Sequence, residues 1–338
     1  MSVCIYIGVY CLYDSFVQFN WFFVLFLCMS EYEAKGDKAN RRSWFNPFPD
    51  TDSAQDNYTL AANTFKREQK WGDSARCFIK SATIFENNDE RLSASRSYVE
   101  AGQCLMKMND PGYINCYLSA ISLYDKSGHF GQSGKLYKVL AEKYTSEGKY
   151  NNAIDYYKKS ADSFSLDEYS KSNYSQVIMT YAELIAQYQE SYFEAMKIFE
   201  DEAKKALDNR LLQYGAKTIL FKAGLLSLAL GDVDNGQVAF EKYIHMDSRF
   251  QHSREAQFLN GILDSMNNKD FELFSKSLES YEQIATVSAW ERHFIDKIKI
   301  HLSSFASADT IFNRKSVAAE EDEFPDYCGE GGGDVDLM

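Results

Sequence analysis

The chain has 338 residues, with 49 Asp and Glu against 36 Lys and Arg, a formal net charge of −13, and only 4 prolines and 18 glycines. This length fits one elongated domain or two compact ones, and the acidic balance argues against a general nucleic-acid binder, which needs a basic footprint. So few helix breakers among many Ala, Leu, Tyr, Lys and Glu predict an all-α fold. Seven cysteines, at 4, 12, 28, 77, 104, 116 and 328, form no CxxC pair and fit the reduced thiols of a cytosolic protein. Cys77 and Cys116 fall in repeat helices and are expected to pack in the core.

Residues 1–28 carry one charge, Asp14, and end in an apolar run from Trp21 to Cys28. By length and apolarity they could form a transmembrane helix, interrupted by Asp14, Gln18 and Asn20. They lack the basic start and small-residue cleavage site of a signal peptide. Met29-Ser30-Glu31-Tyr32 reads as an ordinary soluble start. The stretch before it is therefore open to three readings: translated upstream sequence, a membrane anchor, or a buried or disordered extension.

Glu31 to Arg42 is polar and partly helical in expectation. Ser43-Trp44-Phe45-Asn46-Pro47-Phe48-Pro49-Asp50 cannot lie in a helix interior, because the prolines forbid it. Its aromatics Trp44, Phe45 and Phe48 either fold back on the first hairpin or dip into a membrane interface, where Trp and Phe are favoured. Arg41 and Arg42 would there meet anionic lipid.

From Asp52 or Ser53 onward, helices follow closely. Ser74-Ala82-Phe85, Tyr113-Ile121-Tyr124 and Ala153-Ala161-Phe164 each place small, aliphatic or aromatic residues at offsets of 0, 8 and 11. That spacing puts them on one helix stripe. The segments restart every ~40 residues, the length of two antiparallel helices with their turns. Helices are predicted at 58–70, 73–86, 90–107, 113–127, 135–147 and 152–164, with Gly128-His129-Phe130-Gly131 as a helix stop. Less regular helices are predicted at 173–189, 192–208, 213–230, 233–245, 252–267, 270–284 and 288–305. The expected architecture is a TPR-like superhelical solenoid of antiparallel helical hairpins over 29–245, capped by a C-terminal helical bundle over 246–306. An acidic, Gly-rich tail follows at 307–338.

Catalytic motifs are missing from the sequence. There is no P-loop, GxSxG, HExxH or dinucleotide fingerprint, and the histidines at 129, 245, 252, 293 and 301 lack metal-ligand spacing. Glu320-Glu321 lies in a tail that cannot hold a catalytic geometry. No enzyme activity, cofactor or metal is therefore expected. Lysines 126, 135, 138, 143, 149, 158, 159 and 171 crowd the middle of the repeats. Lys135 and Lys138 share a helix face. They are either a solvated outer face or a basic strip steering an acidic partner.

Certain stretches match something specific. They are Ala61-Ala62-Asn63-Thr64-Phe65-Lys66 with Trp71, Ala101-Gly102, Asp110-Pro111 and Ile114-Asn115-Cys116. Ala153-Ile154 through Tyr157, Ser160-Ala161-Asp162, Leu211-Leu212-Gln213-Tyr214-Gly215-Ala216-Lys217, Ser253-Arg254-Glu255 and Trp290 continue the series. From about Glu31 to its C-terminus the chain resembles the soluble NSF attachment proteins, the α/β type more than the γ type. The resemblance implies a cytoplasmic, peripheral membrane adaptor. It would bind syntaxin-like SNARE four-helix bundles in several copies per complex and recruit the hexameric ATPase NSF to disassemble them. It implies a membrane-attaching loop at Trp44, Phe45 and Phe48, and a SNARE-facing Lys135, with Lys138 beside it. A second basic position falls near Ser175, so its charge is lost or has moved to Lys171. It also implies NSF-facing Asp232, Arg254, Asp264 and the penultimate Leu337, with Asn267 and Asn268 where two further acids are expected. Residues 1–28 have no counterpart in the family. A generic TPR-like scaffold unrelated to SNAREs is the alternative.

Overall fold

A computed structural model describes residues 31–41 and 50–303. The aromatic loop at 44–48, the apolar stretch 1–28 and the tail with Leu337 lie outside the described residues. The described residues form fourteen α-helices packed as successive hairpins, so the chain is all-α as its composition predicts. Two compact units divide at Tyr181/Ala182.

The first unit holds α1 (31–39), α2 (Thr51–Arg67), α3 (Trp71–Asn87), α4 (Arg91–Lys107), α5 (Gly112–Lys126), α6 (Phe130–Ser146), α7 (Tyr150–Ser165) and the start of α8 (Lys171–Tyr188). One turn design recurs between the helices. In each turn a backbone N–H closes back on a carbonyl six residues earlier, counting both ends: Lys70 to Phe65, Glu90 to Phe85, Asp110 to Leu105, His129 to Tyr124 and Lys149 to Tyr144. The residue just before each donor sits in the left-handed region: Gln69, Asp89, Asn109, Gly128 and Gly148. This is the Schellman closure, which satisfies the last carbonyls of a helix. The acceptors, at 65, 85, 105, 124 and 144, are spaced by about 20 residues, so two helices make the ~40-residue repeat. Three of the five left-handed positions tolerate a side chain, which is why the turns at Gln69 and Asp89 carry no glycine signal.

Small residues let the helices approach. Ala61, Ala62, Ala82, Ala94 and Ala101 are completely buried. Buried serines find backbone acceptors, as they must away from water: Ser74 Oγ donates to the Ala62 carbonyl at 2.9 Å, and Ser160 Oγ to that of Gly134 at 2.7 Å. A Cβ on Gly102 would lie 2.4 Å from the Tyr117 ring, and one on Gly134 2.8 Å from the Phe164 ring. The expected stop at Gly128–Gly131 holds at Gly128, where α5 ends, and fails at Phe130 and Gly131, which already belong to α6. Only Gly128 takes a left-handed backbone there, with φ of 72°. Gly131 lies inside α6, where a Cβ would fall 2.2 Å from Asp167 Oδ2. The helix thus begins at Phe130 rather than Lys135. Its glycines serve close packing, which local sequence does not distinguish from helix termination.

Ion pairs and a buried ring hold α1 in place. Glu33 pairs with Arg76 at 2.8 Å and Lys80 at 2.9 Å, and Tyr58 donates its hydroxyl to Asp37 at 2.6 Å. Burial works to raise the Glu33 and Asp37 carboxyls. Hydrogen bonds from Arg76 and Lys80 to Glu33, and from Lys80 and Tyr58 to Asp37, outweigh it and hold both below their usual values. A carboxylate depressed on folding stabilises fully above its unfolded pKa, about 4, and loses that contribution as pH falls through its folded value. Below about pH 4, α1 is therefore expected to detach before α2 and α3 melt. Amide exchange of 31–39 at pH 3 and pH 6 checks this; equal protection at both would refute it.

The second unit contains the rest of α8, then α9 (Tyr192–Leu207), α10 (Ala216–Ala229), α11 (Val233–Met246), α12 (Arg254–Asn268), α13 (Phe271–Glu282) and α14 (289–303). Helix α10 is buried on nearly all sides, which identifies it as the central helix of this unit. Phe258 and Tyr281 stack at 4.6 Å, with Phe221 5.5 Å from Tyr281. A capping box opens α14: Ser288 N–H donates to Glu291 at 2.7 Å and Glu291 N–H to Ser288 Oγ at 3.2 Å. Trp290 then donates its indole N–H to the Glu183 carbonyl of α8 at 2.9 Å and meets the Phe199 ring edge-on at 5.9 Å. The last helix of the unit is thereby fastened to its first two.

Candidate functional site

In the first unit the turns alternate between two edges of the hairpin stack. The α5–α6 and α7–α8 turns share one edge, as the packing of Gly131 against Asp167 shows. Lys135 is exposed on the second turn of α6 near Asp167, whose carboxyl the hydrogen bonds from Ser170 and Tyr169 hold below its usual value, with a smaller contribution from the Lys135 charge. Lys138, three residues on, is half-buried and donates to Gln176 of α8 at 2.8 Å. Lys171 is exposed at the first position of α8. Lys138 thus bridges α6 to α8, with Lys135 on the same face of α6 and Lys171 at the first position of α8. Lys143 and Lys149 sit at the other end of α6, paired with Glu147 and, for Lys143, with Asn109 of the α4–α5 turn. The middle lysines therefore divide between two edges, a separation that linear spacing does not reveal.

In the second unit α11 and α12 run antiparallel, so the start of one meets the end of the other. Gly236, in the first turn of α11, packs near Leu263 of α12. Asp232 caps α11 by accepting from the Asn235 N–H at 3.1 Å, and Asp264 accepts from Asn260 at 2.9 Å. Both acids are exposed. Arg254 begins α12, about 15 Å along the helix from Asp264, and donates to the Ile284 carbonyl at 2.7 Å. Asp232 and Asp264 thus share one end of this unit, while Arg254 marks the other end of α12. The Gly231 turn lies beside the His301 ring, so the last turn of α14 is at the Asp232 end of this unit.

Sequence reasoning assigned no role to the α9–α10 connection. There Leu211 is 88% exposed and Tyr214 74% exposed, with the Arg249 guanidinium 5.9 Å from the Tyr214 ring. Apolar groups gathered on a surface mark contact sites more often than scattered ones do. A short loop has no periodicity to read, so the family-matching run Leu211–Lys217 is the mark this stretch carries in the sequence.

Hairpin repeats whose distinctive side chains lie on exposed edges define a protein-binding repeat protein, whose work is done by surfaces. The model of the family "Soluble NSF attachment protein, SNAP" matches residues 29–303. An α-soluble NSF attachment protein of Vitis vinifera is 30% identical over 80% of this chain and 92% of its own length. A β-soluble NSF attachment protein of Bos taurus is 28% identical over 85% and 95%, and the Dictyostelium discoideum α protein 33% identical over 73% and 84%. Among solved structures, BtubC of P. vanneervenii aligns with 68% of this chain and 93% of its own at 12% identity, with a TM-score of 0.36. The chain belongs to the soluble NSF attachment protein family. Members of this family are non-enzymatic adaptors with an NSF-attachment role in vesicle fusion. Among the described residues no helix is long and apolar enough to cross a membrane.

Proposed function

We propose that this protein is an adaptor that binds assembled SNARE complexes on membranes, then recruits and stimulates the NSF ATPase that disassembles them. What supports this reading is the Lys138–Gln176 contact between α6 and α8, with Lys135 on the same face of α6 and Lys171 opening α8, in a chain of net charge −13. A local basic edge captures an acidic helical bundle even when the whole molecule is acidic. Asp232 and Asp264, at one end of the second unit, are the candidate NSF contacts, together with Arg254. Leu337 is the candidate stimulating residue of the tail. Each contact is weak, so several copies around one bundle would act through avidity.

The test is reconstituted disassembly of a SNARE complex by NSF and ATP. Stimulation by this chain is expected, and none would overturn the reading in favour of a generic repeat scaffold. Trp44, Phe45 and Phe48 would attach the adaptor to the membrane by shallow insertion. Trp44→Ser with Phe45→Ser should lower disassembly of liposome-borne complexes by about thirtyfold or more, since each lost aromatic forfeits roughly 1–2 kcal/mol of interfacial burial. The same variant should act normally on detergent-free soluble complexes. Equal loss on both would mean that these side chains pack against the protein instead.

A further inference from the structure

We propose that Tyr169, with Leu166, is an aromatic anchor for the acidic helical partner of the lysine-bearing edge. The inference rests on the SNARE-adaptor reading above and deepens it. Tyr169 lies in the short turn between α7 and α8, where its side chain is 98% exposed and that of Leu166 64% exposed. Side chain and backbone together fix the turn. Asp167 accepts the Tyr169 N–H at 3.1 Å and the Ser170 hydroxyl at 2.6 Å, and Asp167 itself is seated against Gly131 of α6. A large aromatic is therefore held out into solvent by a constrained backbone. It can bury its area on contact while giving up little conformational freedom, because a tyrosine has only two side-chain torsions to fix.

Charge decides what the anchor meets. Lys135 acts on Asp167 from α6, and Lys171 opens α8 two residues beyond Tyr169. The partner must therefore offer carboxylates to the lysines and apolar side chains to the ring, as the surface of an acidic helical bundle does. Asp167 and Glu168 in the same turn offset part of the charge of Lys135, Lys138 and Lys171, so apolar contact area adds to the electrostatic hold. Tyr169 supplies that area, and tyrosine is among the residues that dominate interface energetics.

The experiment titrates the full chain against a soluble, pre-assembled SNARE four-helix complex, without membranes, at low and high salt. Tyr169→Ala should weaken binding by about tenfold at both salt concentrations, leaving the salt dependence unchanged because no charge is removed. Tyr169→Phe should stay within about threefold of wild type, since it keeps the ring. Thermal melts should superimpose, because the side chain supports no packing. Wild-type affinity in Tyr169→Ala overturns the anchor and leaves the adaptor reading standing. No binding by the wild-type chain overturns both. Loss confined to anionic phosphatidylserine vesicles, with soluble-complex binding intact, also overturns the proposal and assigns the ring to lipid.

Discussion

Replacing Trp290 with alanine is expected to destabilise the second unit by about 3–5 kcal/mol, the range for removing a buried large aromatic. The indole is 9% exposed, packs against Phe294 at 4.5 Å and Phe199 at 5.9 Å, and donates to the Glu183 carbonyl at 2.9 Å. Truncation loses the transfer free energy of the ring and leaves a cavity between α14 and the α8–α9 pair, because packed helices relax only in part. Trp290→Phe should recover most of the contact area and fail only by the hydrogen bond, about 1 kcal/mol. Urea unfolding followed by circular dichroism measures both. A loss below about 1 kcal/mol for the alanine variant would show that α14 is not the clasp of this unit. The functional consequence follows from where α14 ends. Its last turns flank the Gly231–Asp232 turn, so loosening it should blunt ATPase stimulation while SNARE binding by the first unit persists.

Reversing two charges, Lys135→Glu with Lys171→Glu, is expected to lower affinity for a soluble SNARE complex by about ten- to a hundredfold. One exposed ion pair contributes only about 0.2–1 kcal/mol. Reversal replaces attraction with repulsion at both sites, so the total reaches roughly 1.5–3 kcal/mol. Several copies on one bundle would compound the loss. The fold should not suffer. Both side chains are exposed, and a glutamate at the first position of α8 suits the helix dipole better than a lysine. Wild-type binding should weaken with added salt, and that of the variant should depend on salt far less. Lys143→Glu, on the opposite edge, is the control expected to have little effect. Equal losses from both edges would argue for diffuse attraction and against a defined face.

The hairpin repeat was legible because it is written twice, in core spacing and in turn closure. Ala153, Ala161 and Phe164 are all buried as the stripe requires, and so are Tyr113, Ile121 and Tyr124. The α6 start was misread for a definite reason. Glycine ends helices and also permits helices to touch, and only the neighbour decides which. At Gly131 that neighbour is Asp167 and at Gly134 it is Phe164, both about 30 residues away in sequence. The candidate site was partly visible. Lys135 and Lys138 share a face by local spacing, but the contact of Lys138 with Gln176 depends on α6 meeting α8. The exposed ring of Tyr169 left no mark in the sequence, since a tyrosine in a turn is as often laid down on the surface as held away from it.

Local chemistry therefore settled the helices and the family: backbone propensity, apolar spacing and a series of matching segments are properties of neighbours along the chain. Tertiary structure alone decided three things. It split the middle lysines between two edges. It placed Asp232 and Asp264 at one end and Arg254 at the other. It fastened Trp290 to Glu183, 107 residues earlier. Each depends on which helices pack side by side, and that is set by the summed burial of small and aromatic faces, which no short window of sequence contains.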